Sequence, residues 1–310
     1  MARSITDLAP FTDRLVGLDG LRAPVVVACS GGPDSLALLA LAAARDLGPV
    51  AVYVDHGLRA ESADDERLVA HVAGKLGVVS RSVAVRVDPG PNLEARARDA
   101  RYDALDRVRR ELDAAVVLVG HTADDQAETV LLNLLRGSAS RGLGGMAVRR
   151  DTVVRPLLGL RRSDTEAVCA ALGLEPARDA MNDDTTFRRV WIRTEVLPAL
   201  SAGAGRDLVP VLARQAEVLR AESDYLDELA RAAWPPAPDR APATALAQLP
   251  VPLARRAVRQ WLGAPPPSLA EVERVLQVAR GEIRATELAG NRRVERHSGE
   301  LQCVRGSVRP

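Results

Sequence analysis

Residues 30–35 read Ser-Gly-Gly-Pro-Asp-Ser, and they stand between an apolar run at 24–29 (PVVVAC) and an alanine- and leucine-rich stretch at 36–45. Strand, glycine turn, helix is a geometry that holds phosphate. Glycines let the backbone approach an anion, amides at a helix start point into the turn, and Ser30 and Ser35 add hydroxyl donors. Asp34 would repel bare phosphate, so its place in the loop predicts Mg²⁺ shared between its carboxylate and pyrophosphate oxygens. Ser30, Gly31, Gly32, Pro33, Asp34 and Ser35 are thus expected to cradle a metal–nucleotide complex. The lysine of G-x-x-x-x-G-K-[ST] is missing and the spacing is not G-x-G-x-x-G, which weakens kinase and dehydrogenase readings.

The loop belongs to a larger alternation. Apolar runs at 24–29, 50–54, 78–85 and 115–119, with a possible fifth at 152–155, are separated by helical stretches. Runs apolar on both faces suit parallel strands covered by helices, so the expected fold is a doubly wound α/β domain with ligands beyond the carboxyl ends of its strands. From 207 to 234, Leu208, Leu212, Leu219, Leu226 and Leu229 recur at helical spacing beside Arg214, Glu217 and Glu222, predicting one long amphipathic helix. The proline-rich 235–243 (PPAPDRAPA) cannot continue it. Two helices, 250–262 and 268–280, the second opened by a Ser268–Glu271 capping box, and a short strand at 301–304 complete a small, mainly helical C-terminal part. The expected division is a catalytic domain over 1–205, a connecting helix over 206–234, a linker over 235–243 and a small domain over 244–310.

Composition narrows the setting. A chain of 310 residues, 47% hydrophobic, can bury a full core. It holds no run of eighteen uncharged apolar residues, and its three cysteines, Cys29, Cys169 and Cys303, never form a C-x-x-C pair. A soluble cytoplasmic protein without disulfide, zinc or iron–sulfur site is expected, with no membrane partner. The net charge of +1 hides an uneven spread: seven arginines face two aspartates between Arg136 and Asp164, and five arginines crowd the tail from Arg292 to Arg309. Such runs are either a solvated face or a phosphate-backbone contact.

Four further segments follow the loop in order: Val54-Asp55-His56-Gly57-Leu58-Arg59; Asn92-Leu93-Glu94 through Arg98 to Arg101-Tyr102; Gly120-His121-Thr122-Ala123-Asp124-Asp125-Gln126-Ala127-Glu128-Thr129, running to Arg136-Gly137-Ser138; and Arg155-Pro156-Leu157-Leu158 with Ile192-Arg193 beyond. With the hexapeptide, this ordered set resembles the tRNA(Ile)-lysidine synthase family of the PP-loop ATP pyrophosphatases. The resemblance implies a reaction. ATP adenylates the C2 oxygen of the wobble cytidine in the CAU anticodon of an isoleucine tRNA, releasing pyrophosphate; the side-chain amine of free L-lysine then displaces AMP. It also implies Mg²⁺, tRNA recognition by the small C-terminal domain, and a possible homodimer.

Free lysine carries a charged ammonium at neutral pH, its ordinary pKa being about 10.4, and must lose a proton before attacking carbon. Asp124, Asp125 and Glu128 stand at a helix start, Asp124 and Glu128 sharing a face at i and i+4, where they can bind the ammonium and accept its proton. Ordinary first-turn acids explain one such carboxylate well and three poorly. Lysine binding is assigned to Asp125 and Glu128. His121, at a strand's carboxyl end, either meets the nucleotide or is a satisfied structural histidine. Arg98 and Arg101 either neutralise departing phosphate or are solvated helix arginines. His56 borders the expected adenine pocket. Arg136, Arg141 and the basic stretch to Arg162, with Arg189 and Arg193, are candidates for the tRNA backbone. Two positions depart from the family pattern: Thr122 stands where a second histidine is common, and Trp191 where an arginine is expected. Thiolation would ask for a cysteine pair and amide synthesis for a glutaminase cysteine; neither is visible. A nucleotide-responsive RNA-binding module would have no use for the four carboxylates.

Overall fold

The computed structural model describes residues 8–55, 57, 62–87, 90–177, 188–235, 237 and 239–305. Two compact units emerge, Met1–Val218 and Leu219–Pro310, the boundary falling within the long helix Val209–Ala233.

In the first unit the chain runs β1 (Val25–Ala28), helix Pro33–Ala44, β2 (Pro49–Asp55), helix Ser62–Lys75, β3 (Val79–Ala84), helix Leu93–Glu111, β4 (Val117–Leu118), helix Ala123–Leu135, β5 (Arg149–Arg150), β6 (Val153–Val154) and helix Arg162–Ala171. The sheet order is β3-β2-β1-β4-β6-β5, parallel throughout except for β5, which pairs antiparallel with β6. The doubly wound expectation holds. The pleat decides which helices cover which face: Val25 and Val27 pack with Leu36, Leu39 and Leu41, whereas Val26 turns to the opposite face and packs with Leu105 and Val108. Leu36, Leu38, Leu39 and Leu41 lie on several sides of one helix and all are at most 1% exposed, so this helix is enclosed all round. Each such leucine contributes about 1.5–3 kcal/mol by burial.

Not every apolar run is a buried strand. β3 sits at the sheet edge with most of its residues open to solvent, Val79 being 64% exposed, because no further strand or covering helix needs its outer face. The polar pair Arg149–Arg150 gives no apolar signal and becomes a strand only by pairing with β6.

The second unit was expected to be mainly helical; it also holds a four-stranded antiparallel sheet. Helices Ala243–Gln248, Val251–Leu262 and Leu269–Arg280 pack beside strands ordered β7 (Arg240–Pro242), β10 (Glu300–Arg305), β9 (Arg292–His297) and β8 (Ala285–Leu288). β7 lies in the proline-rich stretch, and being an edge strand it tolerates Pro242. Ser268 and Glu271 form the expected capping box, with Ser268 N–H donating to Glu271 at 2.7 Å. Of the basic tail, Arg292 is 2% exposed and donates to the carbonyls of Leu262, Pro265 and Ala289, so it is a core fastener rather than a phosphate contact. No single helix among the described residues is long and apolar enough to cross a membrane.

Candidate active site

The sheet reverses direction at β1. Strands β2 and β3 are added on one side, and after helix Leu93–Glu111 the chain returns to place β4 on the other. A crevice opens at the carboxyl ends where such a sheet switches, and β1 and β4 each deliver one of the two strongest motifs there.

From β1 comes the loop. Gly31 has φ +85°, a conformation that side-chain-bearing residues rarely adopt, and Gly32 caps the helix that Pro33 begins. The loop braces itself: Ser30 N–H donates to Ser35 Oγ at 3.1 Å, and Ser35 Oγ–H donates to the Gly32 carbonyl at 2.9 Å. From β4 comes Gly120, whose missing Cβ would stand 3.1 Å from the Asp34 carbonyl and 3.2 Å from the Ser35 nitrogen. A side chain there would push the loop itself, since backbone cannot step aside. Gly120→Ala is expected to raise the KM for ATP about tenfold while shifting the melting temperature little, which steady-state kinetics and a thermal melt will measure.

Helix Ala123–Leu135 begins immediately after. Thr122 caps it, receiving a bond from Asp125 N–H at 3.4 Å, while Asp125 Oδ2 accepts from Thr122 N–H at 2.9 Å. Asp125 is therefore also the helix-capping acid, and Thr122, where a second histidine is common, supplies the cap. Asp124 turns to Arg161, accepting from Nε and Nη2 at 3.0 Å each, and from the Arg162 N–H at 2.8 Å. Burial pushes the Asp124 carboxyl up, but these bonds outweigh it and leave its pKa below the usual value. Arg161 also pairs with Asp207. Glu128 is wholly buried and faces three guanidiniums: Arg193 at 2.8 Å, Arg189 at 3.1 Å and Arg162 at 3.5 Å.

Arg162 ties the two motifs together, standing 3.8 Å from Asp34, 3.3 Å from Asp125 and 3.5 Å from Glu128. Burial draws its pKa down, yet the surrounding carboxylates hold it above normal. Asp34 also accepts from Thr165 Oγ1. Its pKa is pushed up to about 6, first by burial and then by Asp125 and Asp124, against the pull of Thr165 and Arg162. Beneath the loop the Cys29 and Cys169 thiols are pushed by burial up to about 11 and about 12, so neither offers a thiolate at neutral pH.

The expected residues are thus only partly gathered. Asp34, Asp124, Asp125 and Glu128 converge through Arg161 and Arg162, which the sequence reading left among general backbone contacts. Arg189 and Arg193, expected at the tRNA backbone, are held by Glu128. His121 sits at the carboxyl end of β4 with its Nδ1 buried and without a hydrogen-bond partner; burial draws its pKa down to about 4, so the ring is neutral. Arg98 stacks over Tyr102, 5.1 Å from the ring centroid. Arg136 and Arg141 are exposed; Arg136 ends a helix of 13 residues, about 20 Å from the Asp124 end, and Arg141 lies in the short helix Ser140–Leu143, which folds back beside Asn133. His56 lies outside the described residues.

Mg²⁺ takes oxygen ligands, commonly one or two carboxylates completed by substrate phosphates. Among the described residues no cluster of three or more His, Cys, Asp or Glu is arranged to hold a metal by itself. A single carboxylate, Asp34, inside an anion-binding turn fits an ion that arrives with a nucleotide.

Comparison with known proteins agrees with this geometry. A family model described as a PP-loop domain matches residues 13–200. The chain is 48% identical over 241 residues to a tRNA(Ile)-lysidine synthase of Mycolicibacterium paratuberculosis, covering 76% of this chain and 73% of that one. It is 43% identical over 303 residues to one from Salinispora arenicola, covering 91% and 90%. Among solved structures, a U34-tRNA thiolase from Methanococcus maripaludis shares the fold, with a TM-score of 0.57, 17% identity and coverage of 70% of this chain and 80% of the other.

Proposed function

The chain belongs to the tRNA(Ile)-lysidine synthase family of PP-loop proteins, and on that premise we propose that it uses ATP to join free lysine to the wobble cytidine of an isoleucine tRNA with a CAU anticodon. The observation that carries the reading is Arg162. One guanidinium touches the carboxylate of the phosphate loop and two of the acids expected to receive an ammonium, so nucleotide and amine sites are a side chain apart.

The chemistry divides into two displacements. The cytidine C2 oxygen attacks the α-phosphorus of ATP, and the bond to pyrophosphate breaks. The lysine Nε then attacks C2, the C2–O bond breaks, and AMP departs with that oxygen. Ser30, Ser35 and the amides of the loop hold the phosphates. Asp34 would hold Mg²⁺ beside them, and the ion would offset their charge and supply Lewis-acid polarisation. Asp125 receives the lysine ammonium first, since its side chain keeps 13% exposure against 1% for Glu128, and accepts the proton that frees the Nε lone pair. Glu128 sets the charge balance behind it. Asp124 spends its acceptors on Arg161 and Arg162, so it orients those two and does not bind lysine. Arg98, whose charge acts on His121 at the end of β4, is the cation assigned to the negative charge that develops as pyrophosphate or AMP leaves.

Purified protein with Mg-ATP, lysine and a CAU-anticodon isoleucine tRNA transcript is expected to release AMP only when both lysine and the wobble cytidine are present. AMP release that persists with wobble uridine, or none with either RNA, would overturn the assignment.

A further inference from the structure

Arg155 has no role in the chemistry above, yet its surroundings are unusual. It follows β6 directly, and His121 lies just beyond β4, the neighbouring strand in parallel register (Val117 with Val153, Leu118 with Val154). Both side chains therefore issue from one stretch of the sheet's carboxyl edge. Arg155 is 7% exposed. Its Nη1 donates to the Ala147 carbonyl at 2.9 Å, but its Nε is buried without any partner, as is His121 Nδ1. A buried guanidinium N–H left unmet is costly and calls for a reason, of which a ligand that completes the bond is one.

The charge around it selects the ligand. Helix Leu93–Glu111 brings Arg98 and Arg101 to the Tyr102 ring, with guanidinium carbons 5.1 Å and 5.8 Å from its centroid. Among the described residues, Arg98, Arg101 and Arg155 make no ion pair with a carboxylate. Burial draws the Arg155 pKa down and Arg98 and Arg150 add repulsion, opposed by the Tyr102 side chain, which hydrogen-bonds the guanidinium and places it in the same locus as Arg98. Three cations, Arg155 buried and Arg101 partly so, thus share one locus in which no carboxylate among the described residues answers them. The locus also continues outward: the β5 arginines Arg149 and Arg150 are exposed, and Arg150 has only an exposed contact of 3.9 Å to Asp151. A mononucleotide is served by the loop at β1 and has no use for a basic strip running to the surface. A polyanionic strand does.

We propose that Arg155 is an RNA-binding residue that grips a phosphodiester next to the target nucleotide, with Arg150 guiding the strand in and Arg98 beside it. The assignment rests on the reading of the substrate as tRNA.

The test begins with wild-type AMP release from the CAU transcript; if that fails, the reading of the substrate falls and this inference with it. Given turnover, tRNA affinity is measured by fluorescence anisotropy across a salt series for wild type, Arg155→Gln and Arg150→Gln. Arg155→Gln is expected to bind about tenfold more weakly, with the slope of log K against log salt reduced by about 0.7, the value for one contact to a single strand. Its KM for ATP should not move. Anticodon-arm RNAs carrying one neutral methylphosphonate beside the wobble position provide the matching cut: wild type loses affinity, and Arg155→Gln is indifferent to the same replacement. An unchanged salt slope, or equal response of both proteins to every methylphosphonate, would overturn the proposal. A raised KM for ATP with RNA affinity intact would overturn it too, assigning the phosphate to the nucleotide. If Arg155→Gln melts far below wild type, Arg150→Gln, altered only at the surface, carries the decision: its slope must fall, and an unchanged slope sinks the proposed strand path.

Discussion

Glu128→Gln is expected to be the most damaging single-atom change in the catalytic unit, lowering stability by about 3 kcal/mol and turnover by about two orders of magnitude. The carboxylate is 1% exposed and is the shared partner of Arg162, Arg189 and Arg193, whose side chains keep 21%, 39% and 28% exposure. Removing one charge from a buried pair typically costs 3–5 kcal/mol because the partner is left uncompensated; the arginines' partial access to water puts this case at the lower end. For a unit of this size the loss corresponds to a fall in Tm of about 6–12 °C. Glu128→Asp keeps the charge and should recover stability before activity, because its shorter reach cannot meet all three guanidiniums. Glu128→Gln combined with Arg193→Gln should regain stability without regaining turnover. A Glu128→Gln protein that melts with wild type would show that the arginines find other partners and that the carboxylate does not organise the site.

That cluster marks the limit of what the sequence made legible. The phosphate loop, the acids after β4 and their relation to helix starts are local, each read from neighbours within a few positions. The arginine partners are not: Asp124 meets Arg161 from 37 positions away, and Glu128 meets Arg189 and Arg193 from 61 and 65. Nothing in an Arg189-Val190-Trp191-Ile192-Arg193 run distinguishes an arginine aimed at phosphate from one aimed at a buried carboxylate. The available signal was charge balance. Three acids near one helix start, one of them facing the core, require cations, and four arginines with suitable spacing were in view. Trp191, by contrast, is 37% exposed, and no contact in the structure explains why it stands where an arginine is expected.

The fold shows the same division. Parallel strands buried on both faces announce themselves as apolar runs, which is why β1, β2, β4 and β6 were found. Strands made by pairing alone are silent. β9 reads Arg-Arg-Val-Glu-Arg-His and owes its existence to β8 and β10 on either side of it, with Val294 its one buried apolar residue. Of that sheet only β10 was readable, from the short run at 301–304.

Asp34→Asn should separate stability from function in the opposite sense to Glu128. In the fold the Asp34 carboxyl has a pKa of about 6 against an ordinary 3.8, mainly because it is buried. The native state therefore holds this proton more tightly than the unfolded chain does. The cost of ionising it is absent below about pH 3.8, grows between 3.8 and 6, and is complete above 6. Two pKa units correspond to about 3 kcal/mol, an upper bound for a side chain that keeps 23% exposure. Asparagine removes the charge while its carbonyl can still accept from Thr165, and Arg162 retains Asp125 and Glu128. Measured without nucleotide or divalent cation, Asp34→Asn is expected to melt about 3–6 °C above wild type at pH 7.5, the gap closing as pH falls toward 4. Turnover should fall by at least about 10²-fold, because the group whose burial is costly is the one proposed to face phosphate and Mg²⁺ when ATP binds. A variant no more stable than wild type at pH 7.5 would mean that the ion pair with Arg162 already offsets the burial of Asp34; full activity in that variant would remove the carboxylate from the proposed handling of ATP. Strain of this sign at the first turn after a phosphate loop is the expected mark of a site built for a charged ligand, since the ligand relieves in binding what the fold bears alone.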